Sequence, residues 1–338
     1  MANKIAIVGG YWGFEEEREQ TPFVGYSGKE LTRMLAEAGI ERRDCLLTNV
    51  FNFRLDDDAA ILELCTNDPQ EALEGYPPFA AKRYLSSQLA PEFERLREEL
   101  GEFDPNITIC CGNQALWAFT GRQAITKYRG TCEYATFTSP GRKVIATYNP
   151  AAVTRNWPLR ATMVMDLSKA QAQSHFPEIR RPEREIWIEP NVEDLNRFAE
   201  LHLRDAGRVS VDIETSGKQI TCIGFAPNPR VAIVIPFHDA RKSTRRYWPT
   251  IEDERAAWGF VKGVLRSPTP KLFQNGLYDI TFLARSMGII VKNAQEDTML
   301  LHHSLQPESL KSLGFMGSLY TDETSWKHMR TETIGAEK

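Results

Sequence analysis

Two acids in residues 209–215 are the first candidates for chemistry, because they interrupt a run of β-branched residues typical of a buried strand. Successive side chains of a strand point to opposite faces, so Asp212 and Glu214 project from the same face, roughly 6–7 Å apart. Two carboxylates held in this way repel each other unless a cation lies between them. The pair therefore indicates either a cation site or a strand whose acids are simply solvated.

A third acid is predicted to approach the same strand. Residues 271–279 are typical of a strand ending at Asn275, followed by a helix that starts near Gly276 and carries Asp279 in its first turn. This geometry aims Asp279 at the end of a neighbouring strand, where Asp212 and Glu214 lie. The three acids are thus expected at one end of one sheet.

Length and composition indicate a globular protein with room for two domains. The 338 residues are enough for two cores of ordinary size, and no apolar run approaches the roughly 20 residues needed to span a bilayer. The net charge of −4 gives no overall basic footprint, so contact with nucleic acid would need a local groove. Six cysteines without C-x-x-C or framework spacing, and no signal-peptide pattern, favour a reducing cytosol.

The first half alternates predicted strands and helices, which indicates a doubly wound α/β domain. Ser27 and Glu30 predict a capping box at the start of its first long helix. In such sheets, ligands bind beyond the carboxyl ends of the strands. The segments expected at that edge are residues 9–23, Asn49, Gly112, Asn113 and Asn149.

A change of composition marks a boundary between two domains. Residues 174–186 are charged, contain prolines and lack periodicity, as linkers do. We therefore assign residues 1–175 to the first domain, 176–186 to a linker and 187–338 to the second domain. The second domain is predicted to be a mixed α/β fold whose strands continue from Asp212 as an antiparallel meander.

A series of motifs in the first domain occurs in a recognisable order. They are Gly9-x3-Gly13, Thr21-Pro-Phe-Val-Gly25 with Ser27-Gly28, Thr48-Asn49, Gly112-Asn113-x-Ala115-Leu116, Arg129-Gly130 and Asn149-Pro-Ala-Ala152. Over roughly residues 3–170 this order resembles the uracil-DNA glycosylase superfamily, particularly its family 4. The resemblance implies a phenylalanine that stacks on a flipped uracil and an asparagine that reads its Watson–Crick edge. Phe23 and Asn49 occupy these positions.

Two positions depart from that family. The acid that normally follows the first glycine and assists the attacking water is replaced by Gly10. The histidine that normally stabilises the departing uracil anion is replaced by Asn149, which can donate a hydrogen bond but carries no charge. The usual iron–sulfur cysteines are missing, so no cluster is expected. We expect a retained fold with lost or very weak excision; Glu15, Glu16 or Glu17 either replaces the acid or forms a solvated face.

The second domain carries D-I-E-T, N-x-x-Y-D and D-T-M-L-x-H-H in this order. Over roughly residues 186–326 these motifs resemble the DEDD-type 3′–5′ exonucleases, especially the proofreading domain of phage-type family A DNA polymerases. The resemblance implies an RNase H-like fold and two Mg²⁺ or Mn²⁺ ions, which clamp the scissile phosphate. Asp212, Glu214 and Asp279 would be the catalytic metal ligands, since hard cations bind oxygen. Asn275 would orient the motif or contact the substrate, and Tyr278 would contact the substrate.

The family's fourth carboxylate has no matching residue. The family has an aspartate at this position, and the only aspartates that follow Asp279 in the sequence are Asp297 and Asp322. Asp-Thr before an apolar run predicts that Asp297 caps a helix, and Tyr320 lies too close to Asp322 to match the family's tyrosine–aspartate spacing. The exonuclease fold is therefore predicted to be incomplete at its C-terminus. A split gene, a partner subunit or a shortened chain would each explain this.

The sequence as a whole predicts a phage replication-associated 3′–5′ exonuclease chain of the proofreading type, joined to a glycosylase-like DNA-binding domain. The expected partners are DNA, mainly single-stranded 3′ ends, and a separate DNA polymerase chain; no membrane partner is expected. The expected location is the cytoplasm of a phage-infected bacterium. Two alternatives stay open: a non-catalytic module that binds DNA or a polymerase, and an active uracil-DNA glycosylase of DNA repair with substituted catalytic residues.

Overall fold

A computed structural model describes residues 4–324 of the chain. They divide into two compact units, the first formed by residues 4–181 with 314–324 and the second by residues 182–313. The division after Arg181 falls inside the segment 176–186 that the composition suggested as a linker. Within residues 4–324, no helix is long and apolar enough to cross a membrane.

The first unit is built on a five-stranded sheet. Its strands are β1 (Ile5–Trp12), β2 (Leu46–Arg54), β5 (Ile107–Cys111), β6 (Cys132–Tyr134) and β7 (Lys143–Thr147). Two short strands, β3 (Cys65–Thr66) and β4 (Tyr84–Leu85), pair with each other in a separate ribbon. The order across the sheet is β2-β1-β5-β7-β6. The first four of these are parallel, and β6 is antiparallel at the edge.

Seven helices connect these strands. They are α1 (Phe14–Glu19), α2 (Tyr26–Glu37), α3 (Ala90–Phe103), α4 (Asn113–Thr120), α5 (Ile125–Tyr128), α6 (Pro150–Arg155) and α7 (Leu159–Gln173). Helix α2 begins at Tyr26 with Gly25 as its N-cap, so the predicted capping box of Ser27 and Glu30 is wrong. Glu30 is buried instead and pairs with Arg160 at 2.7 Å. Glu30 therefore forms an ion pair with a residue distant in sequence and does not form the helix cap that its local pattern had predicted.

Alternate residues of β1 explain why helices cover both faces of this sheet. Ala6 and Val8 belong to one core with Trp117 of α4, whereas Ile5 and Ile7 belong to a second core. Neighbouring strand residues point to opposite faces, so the two cores lie on opposite sides of the sheet. A strand that is apolar on both faces is typical of a parallel sheet layered between helices. The predicted doubly wound α/β fold is confirmed.

The second unit contains a six-stranded mixed sheet. Its strands are β8 (Glu185–Trp187), β9 (Val209–Ser216), β10 (Gln219–Asn228), β11 (Val231–Pro236), β12 (Lys271–Phe273) and β13 (Ala294–Asp297). The order is β13-β12-β9-β10-β11-β8. The predicted meander is confirmed, since β9, β10 and β11 pair antiparallel, while β12 and β13 continue the sheet in parallel. The helices of this unit are α8 (Val192–Phe198), α9 (Ile251–Arg266), α10 (Leu277–Met287) and α11 (Thr298–Leu305). Helix α12 (Leu313–Tyr320) lies in the first unit from Gly314 onward.

Strand β9 shows the predicted alternation. Val209, Val211 and Ile213 are buried in the core of the second unit. Asp212 and Glu214 are exposed on the other face. The two acids therefore project from one face of the strand, as its pattern predicted.

Residues 314–324 belong to the first unit, although the sequence analysis placed them in the second domain. Ser318 Oγ accepts a hydrogen bond from Arg129 Nη1 at 2.9 Å. Lys169 Nζ donates to the carbonyl oxygen of Ser318 at 3.0 Å. These partners lie 189 and 149 residues earlier in the chain, so no local pattern could have revealed the contact.

Candidate functional site

A pocket of about 550 Å³ opens at the carboxyl ends of the parallel strands in the first unit. Gly10 of β1 and Asn49 of β2 lie on its wall, together with Phe23 and Asn149. The four pocket residues singled out from the sequence therefore meet at one site. This is the edge of the sheet at which doubly wound folds bind their ligands.

Phe23 and Asn49 both pack closely against Gly9. A β-carbon added to Gly9 would lie 2.1 Å from Asn49 Oδ1 and 2.8 Å from Phe23 Cζ, so this approach requires glycine. Phe23 has a left-handed backbone with φ of 55°, and Arg42 donates to its carbonyl oxygen at 3.0 Å. Arg95 donates to the carbonyl oxygen of Asn49 at 2.8 Å. The fold thus fixes the backbone from which both side chains project.

Gln114 occupies the space beside Gly10. A β-carbon added to Gly10 would lie 3.1 Å from Gln114 Oε1, so a larger side chain there would press on Gln114. Gln114 Nε2 donates to Asp58 Oδ1 at 2.8 Å, and the Tyr11 hydroxyl donates to the same oxygen at 3.0 Å. Burial and, next, the Asp58 carboxylate raise the pKa of the Tyr11 hydroxyl. The pocket wall therefore includes a carboxylate, Asp58, although position 10 has none.

The run of Glu15, Glu16 and Glu17 forms the first turn of α1. Glu16 Oε2 accepts a hydrogen bond from the Gly13 backbone N–H at 2.9 Å and so caps the helix. Acidic residues in a first helical turn also interact favourably with the helix dipole. These contacts favour a structural role for the run over replacement of the missing acid.

Asn149 is the N-cap of α6. Its Oδ1 accepts a hydrogen bond from the Ala151 backbone N–H at 2.9 Å. The side-chain carbonyl is thus directed at the helix, and the amide nitrogen is the group that can donate to a ligand. A neutral amide donor stabilises a developing anion less than a charged donor does.

Two residues of the pocket wall, Asp58 and Gln114, were not predicted from the sequence. Asp58 lies in a segment without helical or strand periodicity, and Gln114 is the unspecified position of the motif Gly112-Asn113-x-Ala115. The available signal was the run of three aspartates at residues 56–58, directly after β2. Because β2 is the strand that carries Asn49, an acidic run beyond its end is expected near the pocket.

The second unit brings three of its predicted site residues together. Loss of hydration within the surrounding protein, followed by the charges of Asp279 and Glu214, raises the pKa of Asp212 to about 6. Burial also raises the pKa of Asp279. Asp279 Oδ1 accepts a hydrogen bond from the backbone N–H of Ile213 at 3.1 Å, which ties the first turn of α10 to β9. Asp212 and Glu214 on β9 and Asp279 on α10 are thus near enough for their charges to act on one another.

Asp297 caps α11, as its sequence predicted. Its Oδ1 accepts a hydrogen bond from the Met299 backbone N–H at 2.8 Å. The same carboxylate accepts from the backbone N–H groups of Asn275 at 3.1 Å and Gly276 at 2.8 Å. Asn275 has a left-handed backbone with φ of 57°. The Asp297 carboxylate thus holds the turn at Asn275 and Gly276 that leads from β12 into α10.

Tyr278 and Asp322 lie in different units. The Tyr278 hydroxyl shares a hydrogen bond of 2.6 Å with Thr215 Oγ1, on the strand that carries Asp212. Asp322 belongs to the first unit, where it lies 3.8 Å from Lys169 Nζ. Asp322 thus has a partner within the first unit, and its role as a fourth metal ligand stays a prediction.

The carboxylates of the second unit provide the oxygen ligands that Mg²⁺ and Mn²⁺ prefer. Their positions do not complete a site, however. Among residues 4–324, no three His, Cys, Asp or Glu side chains are grouped so that they could hold a metal ion. The chemistry of the ligands fits a divalent cation, but the arrangement does not, and no catalytic step through a metal follows from it.

Solved structures with some similarity to this chain include two nucleases. One is Escherichia coli RNase D, an exoribonuclease, with 17% identity, a TM-score of 0.31, and coverage of 42% of this chain and 34% of that chain. Another is the EXD2 exonuclease domain soaked in Mg and dGMP, with 10% identity, a TM-score of 0.27, and coverage of 45% and 84%. The chain thus spans about a third of the RNase D structure that it matches.

Sequence comparison is informative for the first unit. The pattern of the Uracil DNA glycosylase superfamily matches residues 2–171. The type-4 uracil-DNA glycosylase of Thermotoga maritima is 30% identical over 181 residues, covering 51% of this chain and 78% of that protein. That of Archaeoglobus fulgidus is 29% identical over 174 residues, covering 49% and 74%. With its pocket at the strand ends, this chain belongs to the uracil-DNA glycosylase superfamily.

Proposed function

We propose that the first unit binds DNA and holds one extruded base of the uracil class in its pocket. The observation that carries this proposal is the convergence of Phe23 and Asn49 against Gly9 on one pocket wall. A phenyl ring can stack on a base, and a side-chain amide can both donate to and accept from the Watson–Crick edge of uracil. The type-4 uracil-DNA glycosylases that this unit resembles support uracil as the base.

Excision of the base is proposed to be slow. Position 10 carries no acid to assist water, and Asn149 carries no charge to stabilise the departing anion. Losing both groups removes several kcal/mol of transition-state stabilisation, roughly 10²-fold or more in rate for each. Binding does not depend on these groups, because Phe23 and Asn49 would contact the base and not the bond that breaks.

Fluorescence anisotropy with the full chain tests this proposal. Labelled single strands would contain one uracil, one thymine or one cytosine at the same position. We expect the uracil strand to bind most tightly and Asn49→Ala to remove the difference. Gln88→Ala, which shortens an exposed amide outside the pocket, serves as the control. Equal affinity of the unaltered chain for all three strands would contradict the proposal.

A second candidate function concerns the second unit. Loss of hydration, and then the charges of Asp279 and Glu214, raise the pKa of Asp212 to about 6. This grouping of acids favours a 3′–5′ exonuclease, because a divalent cation would stabilise the like charges. Since residues 4–324 do not complete a metal site, we propose that a separate DNA polymerase chain supplies the missing ligand. The chain would then work in phage DNA replication, in the cytoplasm of the infected bacterium.

Degradation of single-stranded DNA tests the nuclease proposal. The chain would be incubated with Mn²⁺ and a 5′-labelled strand, with and without chelator and with and without the polymerase chain. We expect slow, chelator-sensitive shortening from the 3′ end that the polymerase chain accelerates. Asp212→Asn should abolish it, whereas Asp205→Asn, at an exposed acid, should not. No shortening under any condition would contradict the nuclease; rapid shortening by the chain alone would contradict the partner.

A further inference from the structure

We propose that Asp58 is the carboxylate that activates the attacking water in the pocket of the first unit, in place of the acid absent at position 10. The proposal rests on the proposed binding of a uracil-class base and adds a catalytic residue to it. It assigns the slow excision that remains to one side chain, which lies outside the motifs shared with the superfamily.

The contacts of Asp58 hold its carboxylate at the pocket wall. The hydrogen bonds from Tyr11 at 3.0 Å and from Gln114 at 2.8 Å both end on Oδ1. This leaves Oδ2 as the oxygen that can accept a proton from water. The preceding residue, Asp57, accepts hydrogen bonds from the backbone N–H groups of Ala59 at 2.8 Å and Ala60 at 2.9 Å, which fixes the turn. Asp58 itself is exposed, so water can reach it.

The surroundings of Gly10 explain why the acid comes from another loop. Gln114 lies where a side chain at position 10 would enter, with its Oε1 only 3.1 Å from an added β-carbon. The other end of the same amide donates to Asp58. An acid at position 10 and the Gln114–Asp58 pair would therefore compete for the same space. Gln114 is therefore a positioning residue: it fills the space beside Gly10 and holds the Asp58 carboxylate by a hydrogen bond.

The proposed step is a hydrolysis. The bond between deoxyribose C1′ and uracil N1 breaks, and its electron pair leaves with the uracil anion. The oxygen of a water molecule forms a new bond to C1′, and a proton of that water passes to Asp58 Oδ2. Asp58 then returns the proton to the uracil anion through solvent. The products are free uracil and an abasic deoxyribose, and no oxidant or further reactant is needed.

Single-turnover excision by the full chain tests the assignment. Excess protein would be mixed with a strand containing one uracil, and free uracil would be measured over hours together with strand binding by anisotropy. We expect slow release by the unaltered chain and release by Asp58→Asn that is slower by roughly 10²-fold, the range typical of a lost general base. Asparagine keeps the shape and the acceptor oxygen of Asp58, so binding and melting temperature should not decrease.

Two further variants separate catalysis from charge. Tyr11→Phe removes one of the donors to Asp58 and should slow release less than Asp58→Asn does. Glu63→Gln removes one negative charge from an exposed position of the same segment outside the pocket, and release should be unchanged. If Asp58 only repelled DNA phosphates, Asp58→Asn would bind more tightly and release uracil at least as fast, and the assignment would be overturned.

Two further outcomes separate base binding from the role of Asp58. An unaltered chain that binds the uracil strand preferentially but never releases uracil would overturn the role of Asp58 and leave base binding intact. A chain with no preference for the uracil strand would overturn the proposed function and the assignment together.

Discussion

Arg129 donates a hydrogen bond from Nη1 to Ser318 Oγ at 2.9 Å, across 189 residues of sequence. Arg129 also forms an ion pair with Asp166, and all three side chains are buried. The guanidinium lies 5.0 Å from the centre of the Phe315 ring. The segment 314–324 therefore completes a polar cluster of the first unit, and this unit is assembled from two separate stretches of the chain.

Removing Ser318 Oγ should destabilise the first unit. Ser318→Ala leaves a buried charged donor of Arg129 without this partner, at a cost of roughly 1–3 kcal/mol. Asp166→Asn leaves a buried guanidinium uncompensated and should cost more, roughly 3–5 kcal/mol. Urea unfolding of the full chain measures both. Ser168→Ala, on an exposed position of α7, is the control; equal stability of Ser168→Ala and Ser318→Ala would contradict this account.

Gly9→Ala should close the pocket. Its β-carbon would lie 2.1 Å from Asn49 Oδ1 and 2.8 Å from Phe23 Cζ, so at least one of these side chains must move. We expect preferential binding of uracil-containing strands to weaken by roughly tenfold or more, since one stacked base contributes about 1–3 kcal/mol. Gly101→Ala in α3, where an added β-carbon meets nothing within 4 Å, should leave binding unchanged. Undiminished uracil preference in Gly9→Ala would show that Gly9 does not define the pocket.

The titration of Asp212 predicts how the stability of the second unit depends on pH. Its pKa is about 6 in the folded chain against 3.8 for an ordinary aspartate, so the folded state holds the proton more tightly. The contribution of Asp212 to the free energy of unfolding is therefore full below about pH 4 and is lost as the pH rises through about 6. Asp212→Asn cannot ionise, so its stability should fall less over this range.

Thermal unfolding from pH 4 to pH 7, with chelator present, measures this dependence. Asp205→Asn should behave like the unaltered chain. Parallel curves for Asp212→Asn and the unaltered chain would show that Asp212 is not perturbed. Stabilisation of the unaltered chain by Mn²⁺ at pH 7, absent in Asp212→Asn, would indicate that the cation relieves the same repulsion.

The predictable part of the site consists of residues at strand ends. Gly10 lies within β1 near its end, Asn49 lies within β2, and Asn149 follows β7. The α/β pattern predicted all three at one edge of the sheet, where they line one pocket. Asp297 was also predictable, because an aspartate before a helix makes its contacts within a few residues. These residues depend on local sequence and on the topology that local sequence implies.

The remainder depends on contacts between distant segments. Asp58 reaches Gln114 across 56 residues, and Asp58 itself lies in an irregular loop after β2. Ser318 meets Arg129 only after the whole second unit has been traversed. Glu30 was predicted from its local sequence to cap a helix, but its carboxylate instead accepts a hydrogen bond from Arg160, 130 residues away. Burial and pairing in the complete fold decide which partner each of these side chains contacts. The pattern of neighbouring residues in the sequence carries no information about these distant contacts.

The most direct test of the central claim is whether the first unit draws uracil out of the DNA stack. 2-Aminopurine placed beside a uracil becomes more fluorescent when its neighbour leaves the stack, because stacking quenches it. The full chain should raise this fluorescence for a uracil strand and not for a thymine strand, and Phe23→Ala and Asn49→Ala should lose the effect. Binding of the uracil strand without a rise in fluorescence, or an equal rise with thymine, would contradict it.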